Sequence, residues 1–218
     1  MLLHPGGGDP RSCTCQWAKE HNGWCDRCRV GYVGGVAVRS ELLFETLDPH
    51  GHVIGHESIT CPNCLAAIAC DGWCVDCRIG WQNGLAWMTR ITWVFSKGEV
   101  ATASTPLCAA CRARVDAATT AEGTGVSGRG LGQDGGGATE RGAWCPACGG
   151  GVVGRIFFRD RELLAEAARQ FDILNAAIAT VPRCELCACA MVVDDDCPFC
   201  RIAYRDGKPL GTVDPPRR

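Results

Sequence analysis

The sequence has no hydrophobic run long enough to cross a membrane. Its most apolar stretch, residues 85–95, is interrupted by Thr89, Arg90 and Thr92, whereas a membrane helix needs about 20 apolar residues. Residues 1–10 also lack the basic start and the apolar centre of a secretory signal peptide. These absences predict a cytoplasmic protein with no membrane partner.

An excess of positive charge is missing as well. Lysine and arginine total 22 against 24 aspartate and glutamate, a formal net charge of −2. Proteins that bind nucleic acid generally present a basic face to the phosphates. The charge balance therefore argues against a nucleic-acid partner.

Catalytic motifs are absent too. The glycine-rich segment 125–132 has no Lys-Ser or Lys-Thr after it, as a phosphate-binding loop requires. His56-Glu57 lacks the spacer of the His-x-Glu motif found in zinc deaminases. We therefore expect no enzymatic activity, and thiol-disulfide redox chemistry is the alternative left open.

Cysteine is abundant, with 18 in 218 residues. In a reducing compartment, regularly spaced cysteines more often bind metal or carry redox chemistry than form structural disulfides. Disulfides become the favoured interpretation only for an exported protein. Cysteine spacing is therefore the main clue to this chain.

The cysteines recur in a fourfold pattern. Residues 22–32, 71–81 and 195–204 share one template around a Cys-x-x-Cys pair, and residues 142–148 keep its tryptophan and cysteines. An earlier cysteine pair precedes each segment. Nine residues separate the two pairs in the first, second and fourth units, and 33 residues separate them in the third unit. The pattern predicts four units at 11–57, 58–105, 106–181 and 182–208, with a flexible insert at about 122–142 and flexible tails at 1–10 and 209–218.

Two paired cysteine turns can supply the four thiolates of a closed tetrahedral metal site. Thiolates are soft ligands, which favours zinc and leaves iron as an alternative. We expect about four Zn²⁺ ions. The predicted ligands are Cys13, Cys15, Cys25 and Cys28; Cys61, Cys64, Cys74 and Cys77; Cys108, Cys111, Cys145 and Cys148; and Cys184, Cys187, Cys197 and Cys200.

The first ligand pair is irregular, because Cys13-Thr-Cys15 is one residue shorter than the others and His21 is the nearest substitute. Cys70 and Cys189 are left over. Small buried hydrophobic residues are their expected role, although Cys189 could compete with Cys187 for the fourth metal.

Two further sets of residues have alternative interpretations. His50, His52 and His56 fit a polar surface loop or a shared metal. Trp24, Trp73 and Trp144 each precede the third ligand of a group, and we expect them to shield the metal rather than to stack on bases.

The connecting segments predict ordinary secondary structure. Apolar residues at helical spacing predict a long helix over 161–180, with Asp160 as N-cap and Pro182 after its end. A shorter helix is expected at 40–47 after a strand at 33–38. Alternating residues predict a half-buried strand over 85–95.

Three of the pairs, Cys61-Pro-Asn-Cys64, Cys145-Pro-Ala-Cys148-Gly and Cys197-Pro-Phe-Cys200, resemble the knuckles of zinc-ribbon and rubredoxin-like proteins. The resemblance covers only the cysteine segments and implies structural metal binding. We expect a small metal-stabilised α+β protein of four tandem zinc-ribbon-like units. The leading hypothesis is a non-enzymatic scaffold that docks an unidentified protein, and the alternative is storage, transfer or sensing of a soft metal.

Overall fold

The computed structural model describes residues 13–120 and 142–212. Within these ranges the chain is an α+β protein of short helices and short antiparallel strands, with a 3-10 turn at His56–Ser58. The helices are α1 (Cys15–Glu20), α2 (Glu41–Leu47), α3 (Pro62–Ala69), α4 (Arg90–Ser96), α5 (Ala109–Thr120), α6 (Arg161–Thr180) and α7 (Glu185–Val193). The strands are β1 (Trp24–Cys25), β2 (Val30–Val33), β3 (Val36–Val38), β4 (Trp73–Cys74), β5 (Ile79–Gln82), β6 (Leu85–Trp87), β7 (Glu99–Val100), β8 (Gly151–Val153), β9 (Ile156–Phe158), β10 (Ile202–Arg205) and β11 (Lys208–Thr212).

The described strands form four small sheets. Their orders are β1-β2-β3, β4-β5-β6, β7-β9-β8 and β10-β11, and neighbouring strands are antiparallel. Sheets this small are marginal in water unless something packs on them or ties them together. Each sheet here lies beside one of the predicted cysteine groups.

The same backbone arrangement recurs around each group. A helix leads into a cysteine turn and a hairpin, and a second helix follows in the first three cases: α1 then α2, α3 then α4, and α5 then α6. The fourth begins with α7 and the described part ends with the hairpin β10-β11.

A side-chain hydrogen bond ties the end of the first helix to the hairpin tip in three of the four cases. Asn22, Asp71 and Asp194 all have positive φ. Their Oδ1 atoms accept backbone N–H bonds from the residue twelve positions later, at distances of 2.9, 2.8 and 2.6 Å. In the third case Gly142 holds the same position, also with positive φ. The geometry of the turns is therefore repeated as closely as the cysteine spacing.

One main hydrophobic core joins α2, α4, α6 and α7. Each helix comes from a different predicted unit. Polar contacts reinforce the core, since the Ser40 hydroxyl at the start of α2 donates to Glu185 on α7, and Arg90 on α4 donates to Glu166 on α6. The four parts of the chain are thus packed together.

Two glycines allow the hairpins to approach the following helices closely. A β-carbon at Gly31 would lie 2.2 Å from a ring carbon of Phe44 on α2, and one at Gly80 would lie 2.1 Å from Trp93 on α4. Contacts this short do not occur between ordinary side chains. The equivalent position in the last hairpin is Ala203, and no later helix follows it among the described residues.

The two predicted helices are confirmed. Helix α6 spans Arg161–Thr180 with the Asp160 side chain accepting from Leu163 N–H, and α2 spans Glu41–Leu47 with Ser40 as its N-cap. The predicted strand at 33–38 is instead two strands, β2 and β3, because Gly34 and Gly35 both have positive φ, as a tight hairpin turn requires.

The predicted strand over 85–95 is wrong beyond Trp87. Helix α4 begins at Arg90 because the Thr89 side chain accepts from the Thr92 N–H as an N-cap. Ile91, Val94 and Phe95 then lie on one buried face at helical spacing.

Other expectations concern residues that the structure does not describe. The predicted insert at 122–142, except for Gly142, and the tail at 1–10 lie outside the described ranges. The expected tail at 209–218 begins inside β11, which extends to Thr212. The unit boundaries remain a prediction.

Candidate metal centres

The structure brings the sixteen paired cysteines into four groups of four. In each group the sulfur atoms all lie within 4.8 Å of one another. The groups are Cys13, Cys15, Cys25 and Cys28 (first tetrad); Cys61, Cys64, Cys74 and Cys77 (second); Cys108, Cys111, Cys145 and Cys148 (third); and Cys184, Cys187, Cys197 and Cys200 (fourth). Each group contains the two pairs that the spacing had placed together.

The sulfur spacing fits a tetrahedral metal site. A metal about 2.3 Å from each of four sulfurs requires sulfurs about 3.8 Å apart. The distance is 3.8 Å for Cys61 to Cys74 and for Cys184 to Cys197, and 3.7 Å for Cys108 to Cys145. A disulfide needs about 2.05 Å, and all eighteen cysteines are free thiols. The tetrads could each hold one metal ion of the size of zinc or iron.

The first pair of each tetrad lies at the start of a helix. Cys61 is the N-cap of α3 and Cys184 is the N-cap of α7, with the second cysteine of each pair in the first helical turn. The sequence predicts a tight turn at these pairs, and the structure has a helix start there instead. A Cys-x-x-Cys pair also fits a helix start, because residues three apart share a helix face, and the free N–H groups there favour negative charge.

The second pair of each tetrad lies in a tight turn before a hairpin. The backbone N–H of the pair's last cysteine points to the sulfur of its first, at 3.5 Å for Cys77 to Cys74 and 3.3 Å for Cys200 to Cys197. The next residue has positive φ in all four tetrads: Arg29, Arg78, Gly149 and Arg201. Three arginines therefore hold a conformation that normally favours glycine.

The thiols within a tetrad differ in acidity. Backbone N–H groups lower the pKa of Cys61 and Cys184, and that of Cys108 to about 6. Burial raises the pKa of Cys64 and of Cys187 to about 12. Since a metal binds thiolates, binding at neutral pH must displace the protons of Cys64 and Cys187.

The irregular first tetrad is complete without histidine. Cys13 lies 3.4 Å from Cys28 and 4.0 Å from Cys25. His21, the expected substitute, instead stacks on Trp17, and its Nδ1 bonds to the Trp17 carbonyl oxygen. His21 lies at the far end of α1, which explains why it does not reach the sulfurs.

The third tetrad closes across a long sequence separation. The Cys108 N–H donates to the Cys148 sulfur at 3.1 Å. A β-bridge between Cys145 and Gly150 shapes the cysteine turn. The buried neighbours of this tetrad include Val115 on α5 and Val152 on β8.

The two spare cysteines lie outside the tetrads. Cys70 is exposed and its thiol donates to the Ala66 carbonyl, so the expected buried role is wrong for this residue. Cys189 is half-buried on α7 against the main core. Cys187, not Cys189, belongs to the fourth tetrad, as the spacing predicted.

The described histidines do not form a shared metal group. His52 pairs with Asp48 at 2.6 Å, and His50 Nε2 lies 3.1 Å from the His21 carbonyl oxygen. The His56 side chain lies outside what the structure describes. A polar loop is the interpretation that these contacts favour.

The tryptophans before the third ligands contact helices. Trp24 lies 5.4 Å from Phe44 on α2, and Trp73 lies 5.5 Å from Trp93 on α4, measured between ring centroids. Consecutive residues of a strand point to opposite faces. Trp24 and Cys25 are neighbours in β1, and Trp73 and Cys74 are neighbours in β4. Each tryptophan therefore packs on the strand face opposite its cysteine, in place of the expected shielding of the metal. Trp144 lies under the Arg161 guanidinium of α6.

Buried residues recur four positions after the last cysteine of each tetrad, and the sequence pattern predicts no role for them. They are Tyr32, Trp81, Val152 and Tyr204, and all are buried among the cysteines. The recurrence of an aromatic residue at this offset in three repeats was the available signal.

No helix in the described ranges has both the length and the apolar character needed to cross a bilayer.

Comparison of the chain with models of protein families, with curated proteins and with solved structures finds no match.

Proposed function

We propose that this chain is a zinc-binding structural protein that serves as a scaffold for a protein partner. Each of the four tetrads would hold one Zn²⁺ through four thiolates, and iron is the alternative metal for the same donors. The observation that carries the proposal is the placement of four tetrads, with sulfur spacings of 3.4–4.0 Å, around one shared helical core.

A structural role is supported by the ligand number. Catalytic zinc usually keeps an open position beside three protein ligands, whereas four cysteines fill the tetrahedral shell. The zinc would supply cross-linking between a helix start and a hairpin turn. We accordingly propose a non-enzymatic role.

Burial supports a direct connection between metal and fold. Cys187 and Cys197 of the fourth tetrad belong to the main core itself. In such sites the free energy of metal binding contributes to folding, on the order of 10 kcal/mol per zinc in finger peptides. Loss of the fourth metal would therefore open the core at α7.

Exposed apolar residues at the cysteine turns support a protein partner. Val75 is 71% exposed and Phe199 is 80% exposed, each between the two cysteines of a turn. Nucleic acid is a poorer fit, because four zinc ions with sixteen thiolates would change the charge from −2 to about −10. A reducing, cytoplasmic setting would keep the thiols available.

The second candidate function is storage, transfer or sensing of a soft metal. It is favoured by the exposure of Cys13, Cys28 and Cys77, which leaves one side of the first two tetrads open to solvent. A carrier should exchange metal while remaining folded. A scaffold should lose structure as metal is removed.

Native mass spectrometry of the full chain tests the proposal. We expect about four zinc ions per molecule, and loss of one ion in Cys74→Ser and in Cys197→Ser. The matched control is Cys70→Ser, which removes a cysteine outside the tetrads and should keep all four. A full metal content in both ligand variants would contradict the assignment.

Chelator titration followed by circular dichroism separates the two functions. For a scaffold, helical signal and metal content should fall together. Removal of several metals without change in helical signal would favour the metal carrier.

A further inference from the structure

Each tetrad has a buried side chain at the same offset, four residues after its last cysteine. Tyr32, Trp81, Val152 and Tyr204 are between 2% and 6% exposed. Each packs in the same hydrophobic cluster as cysteines of its own tetrad. This position forms part of the wall of all four sites. Its side chain carries an N–H or O–H group in the first, second and fourth tetrads, and only methyl groups in the third tetrad.

Trp81 presents a buried donor beside the second tetrad. Its Nε1 has no hydrogen-bond partner among the described residues. The indole packs with Cys64 and Cys74 in a cluster of five buried residues. The contact falls short of a formed hydrogen bond, but a metal-bound thiolate would carry the negative charge that draws the N–H toward the sulfur.

Two other tryptophans have a buried Nε1 with no hydrogen-bond partner in the described part of the chain, but their setting is different. Trp24 packs against Phe44 of α2 on the face opposite Cys25. Trp87 lines a cavity with Pro49 and Phe95. Neither belongs to a cysteine cluster, so they serve as comparisons for Trp81.

Tyr204 occupies the same place in the fourth tetrad. It packs in the main core with Cys187 and Cys197. Helix α7, which carries Cys187, packs directly against β10, which carries Tyr204. A phenol keeps its proton at neutral pH and can donate it in a hydrogen bond.

The wall of the third tetrad is apolar at this point. Cys111 is buried among Val115, Val152 and Phe157. A metal-bound Cys111 thiolate would lack the side-chain donor that Cys64 and Cys187 have.

We infer that Trp81 and Tyr204 donate hydrogen bonds to the metal-bound thiolates of Cys64 and Cys187, and that the third tetrad releases its zinc before the second and fourth. The inference rests on the proposed four-zinc function. Partners that hydrogen-bond to metal ligands typically change metal affinity by about 10-fold to 100-fold. The third centre is then the exchangeable one of these three.

Zinc release to an excess of a chromophoric chelator measures the order. The full-length, zinc-loaded chain is compared with Cys145→Ser, Cys74→Ser and Cys197→Ser, whose missing phases assign the third, second and fourth sites. We expect the third-site phase to be at least about tenfold faster than the other two. Equal rates at the three sites would overturn the order of release.

Tyr204→Phe tests the donor with almost no change in volume. We expect release from the fourth site to accelerate about tenfold while release from the second stays unchanged. Trp81→Phe should accelerate release from the second site and leave release from the fourth unchanged, although the smaller ring of phenylalanine also leaves space. An unchanged fourth-site rate in Tyr204→Phe would overturn the role of the hydroxyl.

Cadmium-113 NMR gives a readout that does not depend on rates. In the cadmium-loaded full chain, the Trp81 indole proton should show scalar coupling to one ¹¹³Cd nucleus through the N–H to sulfur bond. The indole protons of Trp24 and Trp87 should show none. Absence of the Trp81 coupling would overturn its assignment. A content below four metals after reconstitution would instead contradict the proposed function.

Discussion

Replacing Gly80 by alanine should destabilise the protein by about 1–3 kcal/mol, the usual cost of overpacking a core. The new β-carbon would lie 2.1 Å from Cγ and 2.2 Å from Cδ1 of Trp93, whereas non-bonded carbons prefer about 3.5–4.0 Å. The hairpin and α4 would have to separate by about 1.4 Å to reach that range.

Trp93 cannot easily move aside to make room. Its Nε1 donates to the Trp81 carbonyl oxygen at 2.9 Å, and its ring lies against Trp73. Moving the ring would break the hydrogen bond and the aromatic contact together. The strain should therefore appear as lost stability.

Thermal unfolding of the metal-loaded chain is the assay. For a protein of this size, 1 kcal/mol corresponds to about 2–4 °C in Tm, so Gly80→Ala should lower Tm by about 2–12 °C. The matched control is Ala203→Gly, the reverse change at the equivalent position of the last hairpin, which should cost no more than about 1 kcal/mol. A Gly80→Ala stability within about 0.5 kcal/mol of the original chain would refute the packing argument.

Two further substitutions test polar contacts. Glu166 accepts from Arg90 and Arg169; burial alone would raise the pKa of its carboxyl group, but these arginines lower it. A carboxyl group whose pKa is lowered in the folded state stabilises the protein at pH values above its unfolded pKa of about 4.3. This stabilisation is lost as the pH falls through the folded-state pKa. Glu166→Gln should thus cost about 1 kcal/mol at pH 7, and denaturant midpoints should converge with those of the original chain once the pH falls below the folded-state pKa of Glu166; a gap that persisted there would contradict the ionic origin. Asp71→Ala should cost about 2 kcal/mol by denaturant unfolding, because it removes the acceptor of the Asn83 N–H and places alanine at a φ of 51°. Asp71→Asn keeps both features, so an equal loss in the two variants would contradict this explanation.

The sequence was sufficient to group the cysteines, because pair spacing is a local property that the fold preserves. It also located α6, whose apolar residues recur at helical spacing over 20 residues. It failed at α4, where apolar residues fit both a two-residue and a helical period. The Thr89 N-cap was the feature that distinguished them.

The parts that could not be predicted depend on contacts between distant residues. Nothing local to Trp81 or Tyr204 indicates that they pack among cysteines of the preceding helix. Similarly, the side of the strand on which Trp73 packs depends on α4, the helix that lies against it. The shared core depends on pairs such as Ser40 and Glu185, which are 145 positions apart.

The pairing of α2 with α7 also has a consequence for how the protein is made. Helix α2 must wait for α7 to be synthesised, and at about 5–20 residues per second the 145 intervening positions take roughly 7–30 seconds. During that time the buried face of α2, with Leu43 and Leu47, has no partner from the end of the chain. The first tetrad is complete by Cys28 and needs no later residue. Metal uptake at the ribosome could thus order the early part of the chain well before the core closes.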